Sequence, residues 1–279
     1  MSSPTRRPNR QTVFLKAFLG LYLRDLRVLS RELAPFVLRV GMQPLLFLFV
    51  FTTVMPHMST GNPMAAAAGP AFGANFGTVL LPGLMAVAIM FSGIAAVALP
   101  LSTEFGITRE IDDRVMGPVP VWAVAVEKVC FSAMQSIIGS LLVIPMAILI
   151  PATPVYPHIQ NWLLFVLVLI LSSLLAGALG LAIGASVNPK QIGLVFSIVV
   201  VPITFLGCVY YPWAGLEKMR WLQIAVLFNP IVYISEGLRA AVTPGVQHMP
   251  VWAILVALVF FLAVLGQFGI RGFLRRVIS

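Results

Sequence analysis

Long apolar runs separated by short polar ones dominate the pattern along this chain. A helix needs about 20 apolar residues to cross the hydrocarbon layer of a bilayer. Six stretches nearly free of Asp, Glu, Lys and Arg meet that requirement, at about 35–55 (with Arg39 near its inner end), 76–101, 129–150, 162–187, 192–211 and 251–270. The pattern predicts an all-α, polytopic membrane protein with six transmembrane helices in a single domain over 1–279.

The segments between the runs have their own periodicity. Before the first run, Leu15, Phe18, Leu19, Tyr22, Leu26, Leu29 and Leu33 recur at three- and four-residue steps. Lys16, Arg24, Arg27 and Arg31 share another face. Within 1–33 this predicts an amphipathic helix lying in the membrane surface; the alternative is a solvated helix packing on a soluble core, which no other part of the chain supplies.

The segment 102–128 is polar and holds five of the nine acidic residues, Glu104, Glu110, Asp112, Asp113 and Glu127. Residues 104–116 read as a short polar helix stopped by Gly117-Pro118. Between the last two runs, 212–250 mixes apolar residues with Glu217, Lys218 and Arg220 and is broken at Asn229-Pro230. Two short helices dipping into the membrane fit that mixture, provided protein or water covers the irregular backbone. A helix lying flat on the surface is the other reading.

Composition and charge sharpen this reading. Hydrophobic residues make up 59% of the 279 and charged ones 10%, against about 25% charged in a soluble domain. The formal charge of +9 would suggest nucleic acid in a soluble protein, but the basic residues flank apolar runs, where anionic headgroups meet them. With six spans, 15 of the 18 basic residues fall on the side of the two termini, which the positive-inside rule makes the cytoplasm. Arg6, Arg7 and Arg10 precede no compact apolar stretch with a cleavage site, so no signal peptide is expected.

Candidate chemistry is sparse. Cys130 and Cys208 have neither a CxxC spacing nor a nearby His, and His57, His158 and His248 fall in expected external loops, so neither a disulfide framework nor a metal site is expected. No Gly-rich phosphate-binding loop of the G-x-x-x-x-G-K-[ST] kind occurs, so any ATP must be bound by another subunit. Apart from Arg39 the expected spans carry no charge, which argues against a proton relay or a charge-lined channel. Gly180, Gly184, Ser132, Ser136 and Ser140 at four-residue spacing suit close helix packing.

The order of these parts resembles the membrane subunit of a type-2 ATP-binding-cassette (ABC) exporter. The resemblance covers nearly the whole chain. It rests chiefly on the acidic segment from Glu104 to Trp122 with its Pro-containing turn, and on Phe228-Asn229-Pro230-Ile231-Val232-Tyr233 followed by Glu236-Gly237-Leu238-Arg239. It looks closest to the daunorubicin-resistance and lipo-oligosaccharide exporter branch. The resemblance implies that 104–116 is a coupling helix in a groove of a cytoplasmic ABC ATPase, with Glu104, Arg109, Glu110, Asp112, Asp113 and Arg114 as candidate contacts. The amphipathic helix with Lys16, Arg24, Arg27 and Arg31 would lie beside it, and Asn229, Pro230, Glu236 and Arg239 would mark the external re-entrant element.

It further implies two permease copies, two ATPase copies carrying ATP and Mg, and export across a bacterial cytoplasmic membrane. The uncharged spans predict an apolar or amphipathic cargo. Readings from other classes are a membrane-embedded enzyme of lipid or cell-envelope metabolism and a non-catalytic membrane scaffold.

Overall fold

The computed structural model describes residues 10–54, 76–108, 120–149, 159–217, 219–243 and 245–278. Among them lie nine α-helices and no strand: α1 (Arg10–Arg31), α2 (Leu33–Phe49), α3 (Phe76–Thr103), α4 (Val121–Leu149), α5 (Trp162–Ser186), α6 (Ile192–Phe205), α7 (Arg220–Ala225), α8 (Pro230–Val242) and α9 (Val251–Ile278). Four helical stretches, 77–106, 121–149, 162–186 and 251–277, are long and apolar enough to cross a membrane. Two bent pairs pass the same test together. α1 and α2 meet at 76°, and 220–228 meets α8 at 98°.

The first bend is the expected step from an interfacial helix into the first span, which α2 extends through a π-helical turn at Val50–Val54. The second is a bent pair of short helices before the final span, broken at Asn229-Pro230.

The fifth apolar run behaves differently from its length in sequence. α6 stops at Phe205 after 14 residues, about 21 Å of helix, short of the roughly 30 Å hydrocarbon layer. The chain then turns through Cys208, whose φ of 51° places it in the left-handed region. Such backbone at depth needs cover, and here it has it: Cys208 and Val209 are fully buried. The turn lies directly on α3 at Gly83, where a Cβ would run into the Val209 carbonyl.

α3 forms the axis of the bundle, with most of its apolar stretch buried among α2, α4, α5 and α8, whereas most of α9 faces outward. Small residues set these distances. Gly180 of α5 would place a Cβ 2.9 Å from the Ile94 Cα, and Gly184 lies against Ala98 and Leu101. The four-residue spacing seen in the sequence is therefore the seam where α5 meets α3.

Two boundaries correct the sequence reading. α4 begins at Val121, not near 129, because nothing breaks the helix after Pro120 and the Ala123 N–H already bonds the Pro120 carbonyl at 2.8 Å. Glu127 and Lys128 therefore belong to a membrane helix and are buried. Glu104–Thr108 is a π-helical continuation of α3, not the first turn of a separate polar helix. The rest of the expected helix, with Arg109, Glu110, Asp112, Asp113 and Arg114, lies outside the described residues.

Candidate functional site

The candidate residues divide between the two ends of the bundle. At the end bearing α1, Lys16, Arg24, Arg27 and Arg31 are all exposed. The opposite side of α1 is anchored: Tyr22 donates its hydroxyl proton to Met134 Sδ at 3.1 Å and sets its ring edge-on to Phe131. Leu29, one of the predicted apolar positions, is buried.

Glu104 at this end is 6% exposed, with its Oε1 2.8 Å from Lys128 Nζ. Its carboxylate is thus engaged with Lys128 within the bundle. The pair has a particular geometry. Glu104 ends α3 and Lys128 sits two turns into α4, so one ion pair closes the base of the intervening segment and joins the two helices that carry it.

Arg276 of α9 reinforces the same end. Its Nη1 donates to the carbonyls of Val187, Gly184 and Ala185 at 2.7, 3.1 and 3.3 Å, satisfying the open C-terminus of α5. Its guanidinium also lies 4.6 Å from the centroid of the Phe105 ring, within cation–π range. In sequence Arg276 is one of three arginines near the C-terminus. The other two, Arg271 and Arg275, are exposed, and only distance in the folded chain separates the clamp from its neighbours.

The opposite end is built on α8. Asn229 caps it, accepting from Ile231 N–H at 3.1 Å, and its amide nitrogen donates to the Ile203 carbonyl at 2.6 Å. Pro230 takes the first helical position, where a missing N–H costs nothing. Glu236 and Arg239, one turn apart, are both completely buried and 2.5 Å apart. Glu236 Oε1 accepts from Trp213 N–H and its Oε2 from Met249 N–H, each at 3.0 Å, while Arg239 Nη2 donates to the Cys208 carbonyl at 3.1 Å. All four residues named for the re-entrant element therefore serve one junction, which fastens the end of α6, the entry to α7 and the entry to α9 onto α8. Its four bonds to Glu236 and Arg239 make it a structural latch.

Among the described residues no group of three His, Cys, Asp or Glu side chains is placed to hold a metal. What the two ends share is a buried ion pair at each. The ABC-2 type transporter family model matches residues 17–243, from within α1 through α8. The chain belongs to the ABC-2 type transporter family. Membership decides for a transporter's membrane component over an enzyme of the membrane.

Among relatives of this ABC-2 chain is the inner membrane transport permease YadH of Escherichia coli K12, 27% identical over 216 residues, covering 76% of this chain and 80% of YadH. The YadH of Shigella flexneri matches to the same extent. The polysialic acid transport protein KpsM of Escherichia coli is 29% identical over 115 residues, 40% of this chain and 43% of KpsM.

Proposed function

We propose that this ABC-2 protein is the permease subunit of an ATP-driven exporter that moves an apolar or amphipathic compound, such as a drug, lipid or lipid-linked glycan, out across the bacterial cytoplasmic membrane. ATP and Mg are bound by a separate cytoplasmic ABC ATPase in two copies, and two permease copies make the pore. Both termini and the segment between α3 and α4 face the cytoplasm, in keeping with the distribution of Lys and Arg; the inner-membrane naming of YadH supports the choice of membrane. The drug and lipo-oligosaccharide branch remains our preferred placement; KpsM, named for a polysaccharide, keeps a glycan cargo in view.

The observation that carries this reading is the Glu104–Lys128 pair beneath the 105–127 segment. The pair ties the two flanking helices to each other, so a push on the segment between them is delivered to α3 and α4 together. α3 is the axis of the bundle, so the motion reaches every helix packed on it. The charges on 109–114 supply the surface for charge-assisted docking.

Joint reversal of Asp112 and Asp113 to Lys tests the scheme. Transport and copurification of the ATPase are expected to fall together while the permease still reaches the membrane and keeps its unfolding temperature. Full transport by the reversed protein, or labelling of the 109–116 segment by an impermeant reagent from outside intact cells, overturns it.

A further inference from the structure

A cavity of about 620 Å³ opens at the α1-bearing end, within one protomer. Its volume lies in the range of small-molecule sites. The elbow between α1 and α2 forms one wall, the last turns of α3 another, and α4 from Lys128 to Gln135 the floor. Charged side chains of both signs line it in equal number: Arg24, Arg39 and Lys128 against Asp25, Glu32 and Glu104. Apolar side chains, among them Leu29, Phe36 and Phe131, complete the walls.

Two groups in it have no partner among the described residues. Gln135 is 7% exposed, and among the described residues its side-chain oxygen accepts no hydrogen bond. Such a buried amide costs free energy unless something completes it. Arg39 sits two turns into a membrane helix, and among the described residues its guanidinium forms no ion pair or hydrogen bond. A cation at that depth calls for an anion or a route to the interface. Lys128 does not compete for the same partner, since Glu104 already holds it.

A ligand that satisfies this set must bring an anion to Arg39, a hydrogen-bond donor to Gln135 or Glu32, and an apolar body for Leu29, Phe36 and Phe131. An anionic lipid would meet the acidic residues unfavourably, and a wholly apolar one would offer nothing to Arg39, to Glu32 or to the buried Gln135 amide. We propose that the elbow cavity binds a zwitterionic phospholipid of the leaflet in which α1 lies. Its phosphate meets Arg39, its primary ammonium meets the Glu32 and Gln135 side, and its acyl chains leave along the apolar wall. The ligand is held by the protomer as a resident of the elbow. This assignment does not depend on the ATPase-docking scheme, so a permease uncoupled by reversal at Asp112 and Asp113 still holds its lipid.

The test is native mass spectrometry of the intact protein released from nanodiscs containing phosphatidylethanolamine and phosphatidylglycerol in equal amounts. Preferential retention of phosphatidylethanolamine is expected, falling about tenfold in Arg39→Gln, as the loss of one charge-assisted contact predicts, and to a smaller degree in Gln135→Leu and Glu32→Gln. Arg275→Gln, an exposed cation of the same end outside the cavity, keeps full retention. Equal retention of both lipids, or retention unchanged in Arg39→Gln, overturns the proposal. So does displacement of the lipid by soluble glycerophosphoethanolamine at equal concentration, which would assign the cavity to a soluble molecule. If Arg39→Gln does not fold, Arg39→Lys and Glu32→Gln carry the comparison, with reduced retention expected in both and unchanged retention in both overturning it.

Discussion

Glu236 and Arg239 stand one turn apart on α8 and are completely buried, and each holds backbone groups from elsewhere in the chain. Glu104 and Lys128, 24 residues apart, pair across two helices, and both line the cavity. The two pairs use the same chemistry under different dielectric conditions. A pair sealed from water that also organises backbone is one whose half cannot be removed cheaply, because the survivor keeps its desolvation cost without its partner. Beside a cavity, water or a polar headgroup can reach the survivor, so the same deletion is milder. The latch end is therefore the costlier one to break, and the elbow end the milder.

The sharpest way to break that comparison is Arg239→Ala. It strands the Glu236 carboxylate in a dry site and frees the Cys208 carbonyl, and a loss of about 3–5 kcal/mol is expected. Thermal unfolding in detergent, followed by tryptophan fluorescence, should show a large downward shift together with poor yield from the membrane. A variant with wild-type unfolding temperature would show that the junction is not sealed.

Lys128→Met should cost less, about 1–3 kcal/mol, because Glu104 lies at the cavity. Adding Glu104→Gln should restore part of the loss, giving a coupling energy in a double-mutant cycle. The functional effect is expected to exceed the stability effect, with transport falling more than unfolding temperature, since the pair no longer ties α3 to α4. Equal damage from Lys128→Met and Arg239→Ala would erase the distinction between the two ends.

Much of the helical plan could be read from the apolar runs, because a membrane imposes length and composition together. The α1–α2 step and the bent pair before the final span were equally readable, the one from three- and four-residue spacing and the other from Asn229-Pro230. Residue pairs were not. Glu127 and Lys128 look like loop residues until α4 is seen to start at Val121, a boundary that depends on Pro120 and on the pairing partner at the end of α3. The shortness of α6 is hidden for the opposite reason: 206–211 is as apolar as a helix, and its turn is set by bonds from Ser235 and Arg239 to the Gly207 and Cys208 carbonyls. Local composition has no record of either. Glu236 and Arg239 were marked through the family's Asn-Pro element, but their complete burial follows only from the three segments that converge on them.

The smallest expected effect separates a cap from a junction. Asn229 and Asn161 both accept from a backbone N–H at the start of a helix, at 3.1 Å in each case. Asn161 is exposed at the head of α5, and among the described residues its side chain makes only the capping bond, so Asn161→Ala should cost about 0.5–1 kcal/mol. Asn229 also donates to the Ile203 carbonyl near the end of α6, so Asn229→Ala should cost about 1–2 kcal/mol, the cap and part of a tertiary hydrogen bond together. Ser can replace the capping oxygen but has no amide to reach Ile203. Asn229→Ser should therefore recover the cap and leave the second loss, whereas Asn161→Ser should return close to wild type. If unfolding measurements place Asn229→Ser level with wild type, the Asn-Pro element is only a helix start, and the latch holds α6 through Arg239 and Ser235 alone.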